Sequence, residues 1–207
     1  TGSPMAGSIR ILGTNAIGLN PTARRSLGAV FVPEERIGHA AVADMTLVDN
    51  SYLTGDTRMN FSHRGLIDWP AVTRFTQKVV QNFDVRTTGV DALASSLSGG
   101  NLQKFIVGRE ILQQPSLLVV SQPTWGVDAG AAAAIHEEIQ RLVSAGAAVL
   151  MISQDLDEVF LLSHRIAVIS QGTLSVTTPI DEVSPEDIGL LMGVRHEVQP
   201  KVDHVAA

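Results

Sequence analysis

The stretch Leu97-Ser98-Gly99-Gly100-Asn101-Leu102-Gln103-Lys104 decides how this chain is read. A serine and two adjacent glycines stand directly before a run that reads as an amphipathic helix, with Leu102, Phe105, Ile106, Arg109 and Leu112 at helical spacing. The serine can cap that helix, and the glycines leave its first backbone N–H groups uncovered. A helix N-terminus of this kind is a ready anion site, and phosphate is its commonest guest. Taken alone, the same residues also fit an ordinary Ser-Gly-Gly loop before a surface helix. Their weight comes from the residues downstream. An apolar run, Leu117-Leu118-Val119-Val120, begins about 17 residues after Gly100 and leads into Ser121-Gln122-Pro123-Thr124, with Gly126-Val127-Asp128 just beyond.

Length and charge bound the possibilities. At 207 residues the chain can form one domain with a sizeable core, or one domain carrying an inserted subdomain. A net charge of −6 advertises no nucleic-acid surface. The sequence holds no cysteine, which excludes disulfides and thiolate chemistry. No apolar run reaches the ~20 residues a membrane span needs and no secretory signal is present, so the chain reads as soluble and cytosolic. It begins with Thr1 rather than Met, from which a fragment of a longer protein is expected. The histidines at 39, 63, 136, 164, 196 and 204 show neither i,i+4 pairing nor H-E-x-x-H spacing, and no metal site is assigned.

Leu-Ser-Gly-Gly-Asn-Leu-Gln-Lys resembles the signature motif of ATP-binding cassette (ABC) ATPases. The order and spacing of the later apolar run agree with it, as does Gly126-Val127-Asp128, which is similar to the family's D-loop. The resemblance covers the chain to about residue 193. It implies an α/β, P-loop NTPase-like ABC ATPase fold, a mostly parallel sheet with helices on both faces and an inserted helical signature subdomain. On that scheme residues 1–195 form the nucleotide-binding domain, residues 37–112 its helical subdomain, and residues 196–207 a flexible tail.

Local patterns fill in this scheme. Residues 8–12 alternate and end at Gly13, predicting a strand. Asn20-Pro21 predicts a short helix through Ser26, and residues 28–32 a second strand broken by Pro33. Residues 45–53 read as a short helix and 54–65 as a polar loop. Asp68 reads as the cap of a longer helix with Val72, Phe75, Val79 and Phe83 on one face. Trp69, Phe75 and Phe83 are assigned to a small core rather than to base stacking, because little positive charge lies between them. Residues 89–96 read as a linker. From residue 116 the pattern turns α/β: the runs 117–120, 148–152 and 166–169 suit parallel strands covered on both faces. Residues 129–145, with Ile135, Ile139, Leu142 and Val143 on one face, suit a crossover helix. Residues 155–162 link the next pair of strands, Gln171-Gly172 reads as a hairpin turn, and residues 185–192 as a last helix.

The missing residues bear on the chemistry. A P-loop needs G-x-x-x-x-G-K-[ST], and the three lysines, Lys78, Lys104 and Lys201, all lack a preceding glycine. The first strand resembles the one that follows the family's P-loop helix, which implies that the N-terminal P-loop part lies upstream of Thr1. The resemblance implies further departures. The family usually ends the strand at 117–120 in Asp-Glu, one carboxylate supporting magnesium and the other orienting the attacking water. Ser121 and Gln122 stand there, and neither is a useful base at neutral pH. Gln154 occupies the place of the switch histidine, and Glu34 that of the Q-loop glutamine, although Glu34-Glu35 reads equally as an exposed acidic turn. Drift in a dead domain and a retained non-hydrolytic half-site both fit this set. The intact signature and D-loop favour the second.

In ABC dimers the signature of one half completes the ATP site built on the other half's P-loop. The resemblance therefore implies that Ser98, Gly99, Gly100, Asn101, Gln103 and Asp128 contact ATP, with Mg2+ held mainly by the partner cassette. A sound signature beside spoiled catalytic positions resembles the second cassette of the double-cassette ATPases of bacterial simple-sugar and nucleoside importers, with residues 101–110 nearer the nucleoside branch. The expected role is to supply the signature in trans and to couple ATP hydrolysis to a permease, peripherally at the cytoplasmic face of the membrane. The full protein is then an ATPase, and this chain alone is inactive. The expected partners are a second cassette on the same full-length chain, integral permease subunits and, indirectly, an extracytoplasmic solute-binding protein, with no nucleic acid. Residues 36–56, with Met45, Leu47 and Leu53, are the expected permease contact. Two other readings stay open, a non-transport ABC protein of DNA repair or translation and a regulatory module that binds no nucleotide. The acidic charge counts against the first, and contact between the signature and ATP in trans would exclude the second.

Overall fold

The computed structural model describes residues 7–193, and the expected tail at 196–207 lies outside them. The chain divides into two compact units, the first ending at Gln154 and the second beginning at Asp155.

The first unit opens with a hairpin, β1 (Arg10–Ile11) and β2 (Thr14–Asn15), shorter than the strand expected over 8–12. Helix α1 (Pro21–Ser26) starts where Asn20 Oδ1 accepts from the Ala23 amide at 2.8 Å, with proline in its first turn. Strand β3 (Ala29–Val32) follows, then α2 (Leu47–Met59). Thr46 and Asp49 close a capping box at the start of α2: Thr46 Oγ1 accepts from the Asp49 amide at 3.0 Å and Asp49 Oδ2 from the Thr46 amide at 3.1 Å. The loop expected over 54–65 is a helix to Met59, followed by the hairpin β4 (Ser62–His63) and β5 (Leu66–Ile67). Gly55 is packed closely within this helix. A Cβ on it would lie 2.8 Å from the Phe61 ring. Helix α3 (Trp69–Asn82) is capped by Asp68, whose Oδ1 accepts from the Ala71 amide at 2.9 Å, and it buries Val72, Phe75 and Val79 as its spacing predicts.

Helix α4 (Gly99–Ile111) carries the signature. Every residue from 102 to 111 is buried, so it is not the amphipathic helix with one apolar face that its spacing suggested, but the central rod of the unit. It packs against α2, α3 and β3, and against α5 (Ala129–Ser144). Its charges are satisfied internally. The Arg109 guanidinium, 2% exposed, donates to Glu110 Oε1 at 3.0 Å, to the Asn50 carbonyl at 2.9 Å and to the Ala40 carbonyl at 2.8 Å. Glu110 also accepts from Arg25 at 2.7 Å and from Gln113 at 3.1 Å. A charge buried this deeply persists only because each oxygen and N–H finds a partner.

Strand β3, β6 (Leu117–Ser121) and β7 (Ala148–Ile152) form a three-stranded parallel sheet in the order β3-β6-β7. The register aligns Phe31 with Val119, and Val119 with Leu150. Because side chains alternate, Val30, Val32, Leu118 and Val120 fall on one face, each 2% exposed or less. Phe31, Leu150 and Ile152 fall on the other, at 51%, 56% and 49%. The covering expected on both faces is present on one only within this unit.

The second unit contains α6 (Leu156–Leu162), capped by Asp155, whose Oδ1 accepts from the Glu158 amide at 3.1 Å. The apolar run at 166–169 is not a parallel strand. It is split between β8 (Arg165–Ile166) and β9 (Ile169–Ser170), which pair antiparallel with β11 (Thr178–Pro179) and β10 (Thr173–Leu174) respectively. The break lies at Val168, whose amide donates to the Ser175 hydroxyl at 2.9 Å instead of joining a ladder. Gln171-Gly172 makes the expected turn, both residues left-handed at φ 48° and 78° as a two-residue hairpin loop requires. Helix α7 (Pro185–Gly193) closes the unit.

Candidate functional site

The parallel register sends the C-terminal ends of β3, β6 and β7 to one edge, where open α/β sheets bind ligands. Glu34 follows β3, Ser121 and Gln122 end and follow β6, and Gln154 follows β7. The structure thus gathers the four altered positions at this edge. Ser121 and Gln122 are buried, and Gln122 has a left-handed backbone at φ 51°, unusual for a residue with a side chain. Its amide donates to the Ile152 carbonyl at 2.8 Å, and its Oε1 accepts from the Gln154 amide at 3.4 Å. The side chain is thereby directed towards the segment after β7. Glu34 is exposed and lines an open cleft of about 560 Å³ with Glu35, Arg36 and Trp125.

The start of α4 faces the turn after β6. Ser98 is its cap: Oγ accepts from the Asn101 amide at 3.5 Å and from Asn101 Nδ2 at 2.9 Å. Asn101 Oδ1 in turn accepts from the Arg86 amide at 2.9 Å, so this side chain holds the cap to the preceding loop. Ser98 and Gly99 are exposed. A Cβ on Gly99 would meet only the flexible end of Arg36, Nη1 at 2.8 Å, whereas on Gly100 it would press on the Gly126 carbonyl at 3.1 Å. A side chain at Gly100 is therefore opposed by the backbone at Gly126, independently of any ligand. The first amides of a helix have no acceptor within it, and here the two glycines add no side chain of their own to cover them.

Two expected ligand contacts have other work in this structure. Gln103 is 2% exposed; its Nε2 donates to the Gln122 carbonyl at 3.2 Å and the Pro123 carbonyl at 2.9 Å, and its Oε1 accepts from Arg36 Nε at 2.9 Å. Asp128 caps α5, with Oδ1 accepting from the Ala131 amide at 2.9 Å. That amide bond, aided by Lys104, holds the Asp128 carboxyl below the usual carboxylate range. Lys104 itself is tied to Asp84, donating to its carbonyl at 2.9 Å. Sequence reasoning missed Arg36. The guanidinium bridges Gln103 and the Trp125 carbonyl, a connection over 67 and 89 residues that no local pattern signals.

No protein-family model matches the sequence. The chain is 36% identical over 187 residues to the nucleoside import ATP-binding protein NupA of Lactococcus lactis, covering 90% of this chain and 37% of that protein. It is 34% identical to the guanosine import ATP-binding protein NupO of Bacillus subtilis, covering 90% and 37%. To the ribose import ATP-binding protein RbsA 1 of Streptomyces avermitilis the identity is 33%, covering 94% and 37%. The chain thus spans little more than a third of the length of these relatives. Among solved structures, it superposes on a dimeric ATP-binding cassette in a post-hydrolysis state bound to ADP and Pi with a TM-score of 0.71 at 17% identity, covering 86% of this chain and 75% of that one. An ATP-binding subunit of an ABC transporter gives 0.73 at 17% identity, covering 91% and 77%. Sequence over nine-tenths of its length and fold together make the chain a homologue of the nucleoside and sugar import ATP-binding proteins, built as an ABC ATPase cassette.

Proposed function

We propose that this chain works as a non-hydrolytic cassette of an importer for nucleosides or simple sugars, presenting residues 98–100 to ATP held by a second cassette. The observation that carries this reading is the pairing of an exposed, glycine-bared helix start with a central strand, β6, that ends in Ser121 and Gln122 and offers no carboxylate. A phosphate fits the first. The Ser98 hydroxyl and the amides of Gly99 and Gly100 can donate to its oxygens, and the 13-residue helix adds its dipole. Magnesium fits the second poorly, because one or two carboxylates usually anchor it beside phosphate oxygens, whereas Ser121 and Gln122 offer only a hydroxyl and an amide. ATP supplies the phosphoryl group for transfer to water. This chain's residues would orient that group and neutralise charge growing on it, and would neither abstract the water's proton nor hold the metal.

The partners follow from the same reading: a second cassette carrying the P-loop, permease subunits at the cytoplasmic face of the membrane, and a solute-binding protein that acts through them. Of the apolar residues expected at the permease, Met45 and Leu53 are exposed at 38% and 52%, while Leu47 is fully buried and belongs to the core. The purified chain by itself should show no ATP turnover. Steady hydrolysis by the chain without any added cassette refutes the proposal.

A further inference from the structure

Arg36 lies where three parts of the site meet. Its Nε donates to Gln103 Oε1 at 2.9 Å, and its Nη2 donates to the Trp125 carbonyl. Nη1 stands beside Gly99, where an added Cβ would come within 2.8 Å of it, and Nη2 stands 3.1 Å from the Cβ position of Gly126. Through Gln103 the connection runs on to the Gln122 and Pro123 carbonyls. Gln122 Oε1 then accepts from the Gln154 amide at 3.4 Å. One planar group, fixed after β3, therefore joins the first turns of α4, the turn after β6 and, by relay, the end of β7. Both glycines beside it leave room that a side chain would fill.

We propose that Arg36 is the positioning residue that holds the bare start of the signature helix in register with the 125–128 turn. The proposal rests on the trans-signature reading for its effect on turnover, but not for its geometry. Three features define the brace. The guanidinium is a rigid fork whose donors point in fixed directions, so it can serve a side-chain amide and a main-chain carbonyl at once. A lysine would keep the charge and satisfy only one of them. Gln103 is buried and has both ends of its amide engaged, so movement of Arg36 leaves a buried acceptor unpaired rather than one that water can reach. Because ATP is held by the other cassette's P-loop, loosening this brace should disturb the reacting geometry more than ground-state binding. The expected signature is a loss of kcat at nearly constant KM.

The test uses the intact protein that contains this chain, assembled with its permease, and reads ATP turnover together with amide hydrogen exchange. Arg36→Lys and Arg36→Gln should each lower kcat by roughly tenfold or more and leave KM for ATP within about twofold, as a misplaced positioning group does. Both should speed exchange at residues 99–103 and 125–128. Gln103→Ala, at the far end of the same bond, should reproduce that exchange pattern. Arg141→Gln, which breaks exposed pairs with Glu137 and Glu138, sets the baseline. Parental exchange in Arg36→Lys overturns the proposal. So does full turnover in Arg36→Lys with loss in Arg36→Gln, which would make the residue a charge and not a brace. Faster exchange with parental kcat in both variants keeps the brace and removes the trans-signature reading instead.

Discussion

At the scale of single residues, two glycines in helices have opposite meanings. Gly108 lies mid-way along α4 against Phe83, and a Cβ there would come 2.4 Å from the ring. Gly189, in α7, has nothing within 4 Å of its Cβ position. Replacing a helical glycine by alanine gains ~0.5–1 kcal/mol where space allows, whereas overpacking a tight core costs ~1–3 kcal/mol. Gly108→Ala should therefore destabilise the chain, and Gly189→Ala should stabilise it or leave it unchanged. Urea-unfolding midpoints check the pair; a stabilised Gly108→Ala would mean that Phe83 yields freely. The same scale shows what a sequence withholds. The caps at Asn20, Asp68 and Ser98 were legible, because capping chemistry is local, whereas Asp128, expected at the ligand, caps α5. The use of Gln103 and Arg36 was not, because each is defined by a partner far along the chain.

At the scale of elements, α4 explains both a success and an error. Its start and length followed from Ser98 and the apolar spacing, but that spacing marked one apolar face and not a helix buried on all sides. Helical spacing cannot tell a solvated charge from one buried with its partner. The Arg25–Glu110–Arg109 cluster joins α1 to α4, and Arg109 extends it to the loop before α2 and to α2 itself. Removing its carboxylate would leave two guanidinium groups facing each other across a gap. Glu110→Ala should lower stability by about 3–5 kcal/mol, the usual result of breaking one side of a buried pair. A loss below about 1 kcal/mol, measured by denaturant unfolding, would show that water reaches the cluster. Helix α2 was legible only in its first half: residues 54–59 read as a loop from their polar composition, and Gly55 sits inside the helix because its missing Cβ leaves room for the Phe61 ring.

At the scale of the whole chain, the parallel strands at 117–120 and 148–152 and the crossover helix between them were legible from continuous apolar runs and connection length. The run 166–169 proved antiparallel, and the place of β3 beside β6 was not legible. The exposure of Phe31, Leu150 and Ile152 was not, since an apolar run says that a strand can be buried on both faces and not that it is. What organises the first unit is the meeting of the signature helix with the strand ends, and the central claim is that this helix start binds phosphate. Gly100 is a poor place to test it, because any side chain there also pushes on Gly126. Ser98 is a better one: it is exposed, and aspartate or asparagine can replace it as a helix cap. An aspartate also suits the helix dipole, so Ser98→Asp should melt no lower than the parent protein. It would nonetheless set a negative charge where the phosphate is to lie. The decisive measurement is ATP turnover by the intact protein, assembled with its permease, carrying Ser98→Asp or Ser98→Asn. Turnover should fall by ~10²–10³ for the aspartate, as for a disabled phosphate or oxyanion donor, and by less for the asparagine. Parental turnover with Ser98→Asp would contradict it.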